Sequence, residues 1–164
     1  MSREQEFGEF ASSRASPLHR SAYLLCGDWH LAEDLAQDTL VKAYQHWGRV
    51  SRADNPDAYV RRILLNEARQ RWRRRDRDLP VAAFGAEPVI LDGTEAIARR
   101  EGLLQALLTL PFHQRATVVL RYLEGLSERE TAEVLRCSEG TVKSQASRAL
   151  ASLRNFLTRT DTTL

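Results

Sequence analysis

The feature that most constrains this chain is an interruption. Residues 79–93, LPVAAFGAEPVILDG, hold Pro80, Gly85, Pro88 and Gly93, carry little charge and show no helical period. On either side, apolar residues recur at helical spacing, from Glu4 to Arg75 and again from Thr94 to about Leu157. Proline removes a backbone donor and clashes with the preceding turn, so no helix runs through such a stretch. The chain is therefore expected to fold as two small helical domains, 1–78 and 94–158, with 79–93 as a flexible linker and 159–164 as a frayed polar tail. Val and Ile occur singly inside helical patterns rather than in alternating runs, which leaves no place for strands. The fold class is all-α.

Composition narrows the function by exclusion. Of 164 residues, 43% are hydrophobic and 28% charged, ordinary for a globular domain, and the formal net charge of +2 does not by itself mark a nucleic-acid binder. The opening MSREQEFGEF lacks the apolar run of a signal peptide, and no stretch reaches the roughly 20 apolar residues of a membrane span, so a cytoplasmic protein without membrane contact is expected. Cys26 and Cys137 lie far apart, and His19, His30, His46 and His113 are scattered without metal-ligand spacing. There is no Gly-rich phosphate loop and no nucleophile elbow. Neither catalytic residues nor a metal or cofactor is expected.

In the first domain, Phe7, Phe10, Leu18, Ala22 and Leu25 make an amphipathic opening helix. Asp28 can cap a second helix from about His30 to Trp47, with Leu31, Leu35, Thr39, Ala43 and Trp47 on its inner stripe. Its other face carries Asp34, Gln37, Asp38, Val41 and Gln45. A third helix starts at Asn55-Pro56, a cap residue before a proline at the first helical position, and buries Val60, Ile63, Leu64, Ala68 and Trp72.

In the second domain, a helix from Thr94 to about Leu108 is followed by one from Pro111 to Leu123, which Gly125 ends. Ser127-Glu128-Arg129-Glu130 is a capping box opening a short helix with Ala132 and Leu135 inward. The polar connection Arg136–Gly140 leads into a last helix with Val142, Ala146, Ala149, Leu150 and Leu153 on its buried stripe. A short capped helix, a tight turn and a longer helix with a narrow apolar stripe describe a helix-turn-helix, whose second helix enters the major groove. Lys143, Ser144, Gln145, Ser147 and Arg148 lie off the stripe and can reach bases or phosphates.

Two further features bear on function. Arg61, Arg62, Arg69, Arg71, Arg73, Arg74, Arg75 and Arg77 crowd one helix, with Tyr59 and Trp72 among them and Asn66 and Gln70 able to bond base edges. Charge interleaved with stacking surface suits an unpaired DNA strand better than a merely solvated face. On the second helix, Glu33, Asp34, Gln37 and Asp38 form an acidic patch. Beside a DNA-binding helix it would repel phosphate, which points to a protein partner, although acids at a helix N-terminus also complement its dipole.

Taken together, AEDLAQDTLVKAY, NPDAYVRRILLNEARQRWRRR and LPFHQRATVVLRYLEGLSERETAEVLRCSEGTVKSQASRALASLR resemble the extracytoplasmic-function (ECF) sigma factors of bacterial RNA polymerase, most closely the actinobacterial SigE-like branch. Order and spacing match nearly the whole chain outside the linker and tail. The piece EGLSERETAEVLRCSEGTVKS alone also resembles LuxR-type response regulators; the three together single out the sigma factors. The resemblance implies a region-2 domain that binds the polymerase β′ clamp helices and melts the −10 element, and a region-4 domain that reads the −35 element and touches the β flap. By position, Asp34, Gln37, Asp38 and Val41 become the contact to core RNA polymerase. Tyr59, Arg62, Asn66, Arg69, Gln70 and Arg73 become −10 contacts, with the loop Gly48–Asp57 and Asn66 and Gln70 forming the pocket for a flipped base. Lys143, Ser144, Gln145, Ser147 and Arg148 become −35 contacts. The implied partners are core RNA polymerase, promoter DNA and an anti-sigma factor.

Two other readings compete. A response-regulator-like repressor or activator needs a receiver or ligand domain that the helical, arginine-bearing N-terminal half does not supply. A pure protein-interaction module leaves the arginines and the recognition helix without a role.

Overall fold

The computed structural model describes residues 1–78 and 94–162, with side chains described for 1–74 and 98–162. The expected linker, 79–93, lies outside the described residues. The chain divides into two compact units, Met1–Phe84 and Gly85–Leu164. Every regular element among the described residues is helical.

The first unit holds α1 (Arg3–Cys26), α2 (Trp29–Gln45), α3 (Trp47–Val50) and α4 (Pro56–Asp78). Ser2 and Gln5 form a capping box at the start of α1. Its end is set by Gly27, whose φ of 74° lies where a side chain would clash. The Asp28 side chain then accepts from the Leu31 amide at 3.0 Å and opens α2. Asn55 does the same for α4, accepting from the Ala58 amide at 3.1 Å. The core joins Leu18, Ala22 and Leu25 of α1 to Ala32, Leu35, Ala36 and Ala43 of α2 and Val60, Leu64, Leu65 and Ala68 of α4. Each fully buried Leu or Val contributes about 1.5–3 kcal/mol over leaving it exposed. Leu31, Ile63 and Trp72 are only half-buried, at the margins of that core.

The second helix does not run to Trp47 as expected. It stops at Gln45, and Trp47 begins the separate turn α3. Trp47 keeps its buried place because its ring packs against Phe7 and Phe10 of α1, with ring centres 5.4 and 5.2 Å away. That aromatic contact joins residues about forty apart in sequence and lies beyond any helical periodicity.

The second unit holds α5 (Thr94–Thr109), α6 (Phe112–Val118), a π-helical turn (Val119–Leu123), α7 (Glu128–Leu135) and α8 (Glu139–Asp161). The single helix expected from Pro111 to Leu123 is thus an α-helix that widens in its last turn. There the Glu124 amide bonds the Val119 carbonyl five residues back, at 2.9 Å. Gly125, at φ 75°, then reverses the chain so that Leu126 returns to the core. The last helix runs past Leu157 to Asp161. Thr158 and Thr160 donate their hydroxyls to the carbonyls of Arg154 and Phe156, which satisfies these side chains within the helix.

One residue at the centre of this unit has no precedent in the sequence pattern. Arg115 is fully buried. Its Nε donates to the Leu107 carbonyl at 2.9 Å, and Nη2 donates to those of Leu110 at 2.8 Å and Leu108 at 3.2 Å. The carbonyls at the end of a helix have no partners within it, and here a guanidinium supplies them.

Candidate nucleic-acid and protein interfaces

The helix-turn-helix geometry rests on local bonds. At α7, the Ser127 hydroxyl accepts from the Glu130 amide, and the Glu130 carboxylate from the Ser127 amide, each at 3.0 Å. The connection to α8 is only Arg136–Ser138, because Arg136 adopts the left-handed conformation, φ 53°, that ends α7 abruptly. A side chain there costs on the order of 1 kcal/mol, which the turn must offset. Ser138 caps α8 by accepting from the Thr141 amide at 3.1 Å.

With Val142, Ala146, Ala149 and Leu153 buried, the outward face of α8 is fixed. Lys143, Ser144, Ser147 and Arg148 are exposed on it and form two adjacent rows at four-residue spacing. Gln145 is half-buried and stands apart from them; Leu150, expected inside, is also half-buried. The Lys143 ammonium lies 3.6 Å from the Glu128 carboxylate on α7, a pairing that the sequence did not suggest.

On α4 the structure brings Asn66, Arg69, Gln70 and Arg73 together as one exposed stripe at helical spacing. Tyr59 and Arg62 are half-buried toward the start of the same helix. The first turn of α4 is held to α1 by Arg14, whose guanidinium bonds the Asp57 carboxylate at 2.8 and 3.2 Å. That hydrogen bond holds the Asp57 carboxyl below the ordinary aspartate range, against the upward push of burial.

On α2, Asp34, Gln37 and Val41 are exposed, Val41 to 55%. An aliphatic side chain left open amid acids and amides suits a protein partner better than water. Asp38 departs from the expectation that it stands free on this face. It is half-buried and ion-paired with Arg71, one of the arginines of α4. The packing of α4 across α2 causes this, and a second pair, Lys42 with Glu67, bridges the same two helices. Among the described residues no group of side chains could hold a metal ion, and no helix is long and apolar enough to cross a membrane.

Comparison with known proteins gives the family. Residues 11–78 match the family of Sigma-70 region 2, and residues 100–153 match Sigma-70, region 4. The chain is 40% identical over 157 residues to the RNA polymerase sigma-E factor of Streptomyces coelicolor, covering 95% of this chain and 88% of that one. It is 33% identical over 140 residues to the ECF RNA polymerase sigma factor SigM of Mycobacterium tuberculosis, covering 85% and 71% of the two chains. Among solved structures, the sigma factor RpoE of Bartonella quintana, in complex with the anti-sigma factor NepR, superposes with a TM-score of 0.73 at 28% identity, over 94% of this chain and 98% of that one. CnrH, in complex with the cytosolic domain of CnrY, gives 0.67 at 26% identity, over 95% and 90%. Two helical units, matched in order to Sigma-70 region 2 and region 4, and relatives of up to 40% identity lead to one conclusion: the chain belongs to the sigma-70 family, as a SigE-like ECF sigma factor that directs RNA polymerase to promoters.

Proposed function

We propose that the three exposed faces divide the work of initiation. In this reading residues 1–78 are the region-2 domain, 94–158 the region-4 domain, 79–93 the tether and 159–164 a tail. Asp34, Gln37 and Val41 of α2, with the outer edge of Asp38, dock on a basic surface of core polymerase. Lys143, Ser144, Ser147 and Arg148 of α8 meet the −35 element in the major groove, with Gln145 at the edge of that contact. Asn66, Arg69, Gln70 and Arg73 of α4, flanked by Tyr59 and Arg62, hold the melted −10 strand.

The observation that carries this reading is the stripe on α4. Two amides and two guanidiniums stand exposed along one line while Leu64, Leu65 and Ala68 fix the opposite side in the core. Amides can bond the edge of an extruded base while arginines hold neighbouring phosphates. A regulator of duplex DNA alone has no use for such a surface. The protein acts as a binding subunit in the cytoplasm, without a catalytic site of its own. An anti-sigma factor is a further partner in this reading, as NepR is for the related sigma factor RpoE.

The test is promoter opening by reconstituted holoenzyme. Asn66→Ala should leave closed-complex formation nearly unchanged and reduce the permanganate reactivity of thymines near the start site. A few kcal/mol are needed for each unstacked base, so one lost amide is felt at this step. Wild-type reactivity in the variant removes Asn66 from the strand contact. No melting by the wild-type holoenzyme would remove the division of labour altogether.

A further inference from the structure

Trp29 opens α2 with a side chain that is 45% exposed, although a ring of that size is ordinarily covered, as Trp47 is. The indole is nevertheless held in place. Its ring centre lies 4.0 Å from that of His19 and 5.3 Å from that of Tyr23, both on α1, and His19 Nε2 stands 3.3 Å from the Trp29 carbonyl. The indole N–H has no partner among the described residues.

Trp29 also begins a row. Trp29, Glu33, Gln37 and Val41 follow one another at four-residue spacing along α2, and all four are exposed. Residues four apart form one of the surface ridges by which helices interdigitate. Apart from Met1, the two ends of this ridge are the exposed large apolar side chains of the first unit among the described residues. They stand about 18 Å apart along the helix, at its rise of about 1.5 Å per residue. Glu33 and Gln37 lie between them, with Asp34 beside Glu33, and neither acid has a cation partner among the described residues.

We propose that Trp29 is a further anchor of the polymerase interface, seated in an apolar recess of the core enzyme at the opposite end of the ridge from Val41. The inference rests on the proposed docking of α2, and adds a residue that the family resemblance did not supply. A protein interface of ordinary size covers about 800 Å² on each partner, a patch roughly 30 Å across. A surface that docks on Asp34, Gln37 and Val41 therefore extends over the one further turn to Trp29. Tryptophan is foremost among the residues that dominate binding energy, because a large apolar ring is covered and its N–H finds an acceptor in the partner. His19 and Tyr23 have already restricted the indole, so little rotational freedom is lost on docking. Nucleic acid does not suit this ridge, which carries no lysine or arginine and whose acids repel phosphate. A basic protein surface with an apolar recess meets every demand: cover for the indole, an acceptor for its N–H and cations for Glu33 and Asp34.

The test measures the affinity of core RNA polymerase for the full-length protein, carrying a fluorophore at its C-terminus, by fluorescence anisotropy. Trp29→Ala should weaken binding roughly 30-fold or more, the loss that defines a dominant interface residue. Trp29→Phe keeps a ring against His19 but shortens it and removes the N–H, and should lose only part of this. Far-ultraviolet circular dichroism and a urea titration establish that each variant is folded. The alanine variant also gives up contacts with α1, so a second measurement does not depend on it. A photoreactive p-benzoylphenylalanine in place of Trp29 keeps a large aromatic there, and on illumination of the holoenzyme should crosslink to a core subunit. Unchanged affinity in a folded Trp29→Ala overturns the proposal, and so does the absence of that crosslink. Asp34→Arg separates the anchor from the docking on which it rests. If Asp34→Arg weakens core binding while Trp29→Ala does not, only the anchor falls. If neither weakens it, α2 is not the polymerase face and both readings fall together.

Discussion

Arg115→Met isolates the buried guanidinium at the centre of the second unit, and its cost can be worked out from the geometry. Methionine keeps most of the aliphatic stem and removes the cation. Three carbonyls lose a donor, but the Leu107 carbonyl still accepts from the Leu110 amide at 3.1 Å. The Leu108 and Leu110 carbonyls, bonded by Nη2 at 3.2 and 2.8 Å, lose the charged donor. Hydrogen bonds to a charged group contribute about 1.5–3 kcal/mol each, and the relief of no longer burying a guanidinium offsets part of the loss. The expected net destabilisation is about 3 kcal/mol. A unit of this size is stable by roughly 3–10 kcal/mol, so the change removes a large share of it. The distribution of aromatic residues provides the assay. Trp29, Trp47 and Trp72 all lie before residue 79, so tryptophan fluorescence follows the first unit, while far-ultraviolet circular dichroism follows both. In a urea titration of the full chain, Arg115→Met should shift a dichroism transition down by more than about 1 M and leave the fluorescence transition in place. Arg115→Lys, which keeps the charge but reaches fewer carbonyls, should fall between. A methionine variant whose dichroism matches wild type would refute the reasoning, as would equal shifts in both signals.

Glu128→Gln frees the Lys143 ammonium, and should raise affinity for promoter-length duplex and steepen its salt dependence by up to about 1, measured by fluorescence anisotropy across a salt series. The pair is exposed, so an unchanged slope would mean that Lys143 never reaches phosphate. Arg148→Ala should cost about 1–3 kcal/mol of discrimination at one or two −35 positions in a binding selection, whereas a loss equal over all sequences would mark a phosphate contact. For acid sensitivity, Asp57 has its carboxyl held low by Arg14, so the pair stabilises fully above the ordinary aspartate range and is lost as pH falls below about 4. Both side chains are about 40% exposed, at 39% and 42%, which limits the effect to less than about 1 kcal/mol. Thermal unfolding followed by tryptophan fluorescence should show a shallower acid limb in Arg14→Gln than in wild type, and identical limbs would dismiss the pair as a stabilising contact.

Much of this protein is legible along the chain because its determinants are local. A helix is closed by residues three and four apart, so Ser127 with Glu130, Asp28 before α2 and Asn55-Pro56 before α4 announce their caps without reference to the rest of the fold. The same periodicity separates Val142, Ala146, Ala149 and Leu153 from Lys143, Ser144, Ser147 and Arg148, and Leu64, Leu65 and Ala68 from Asn66, Arg69, Gln70 and Arg73. The departures share a different cause. Trp47 leaves α2 because it packs on Phe7 and Phe10 from another helix. The widened turn at Val119–Leu123 forms where Gly125 must bring Leu126 back to the core.

Charge was the least legible property of all. A sequence shows which side chains carry it and which face of a helix they share, because both follow from identity and spacing. It does not show which opposite charge a neighbouring helix will bring within reach, because an ion pair depends on the rotation and offset at which two helices pack. That is why Asp38 reads as a free acid and is bound to Arg71, and why Lys143 reads as a free cation and lies beside Glu128. Arg115, which no periodicity or motif singles out, closes the end of α5 from the inside. The sequence by itself determined the helices, their caps and the faces they present; only tertiary packing decided which charges on those faces remain available to polymerase and DNA.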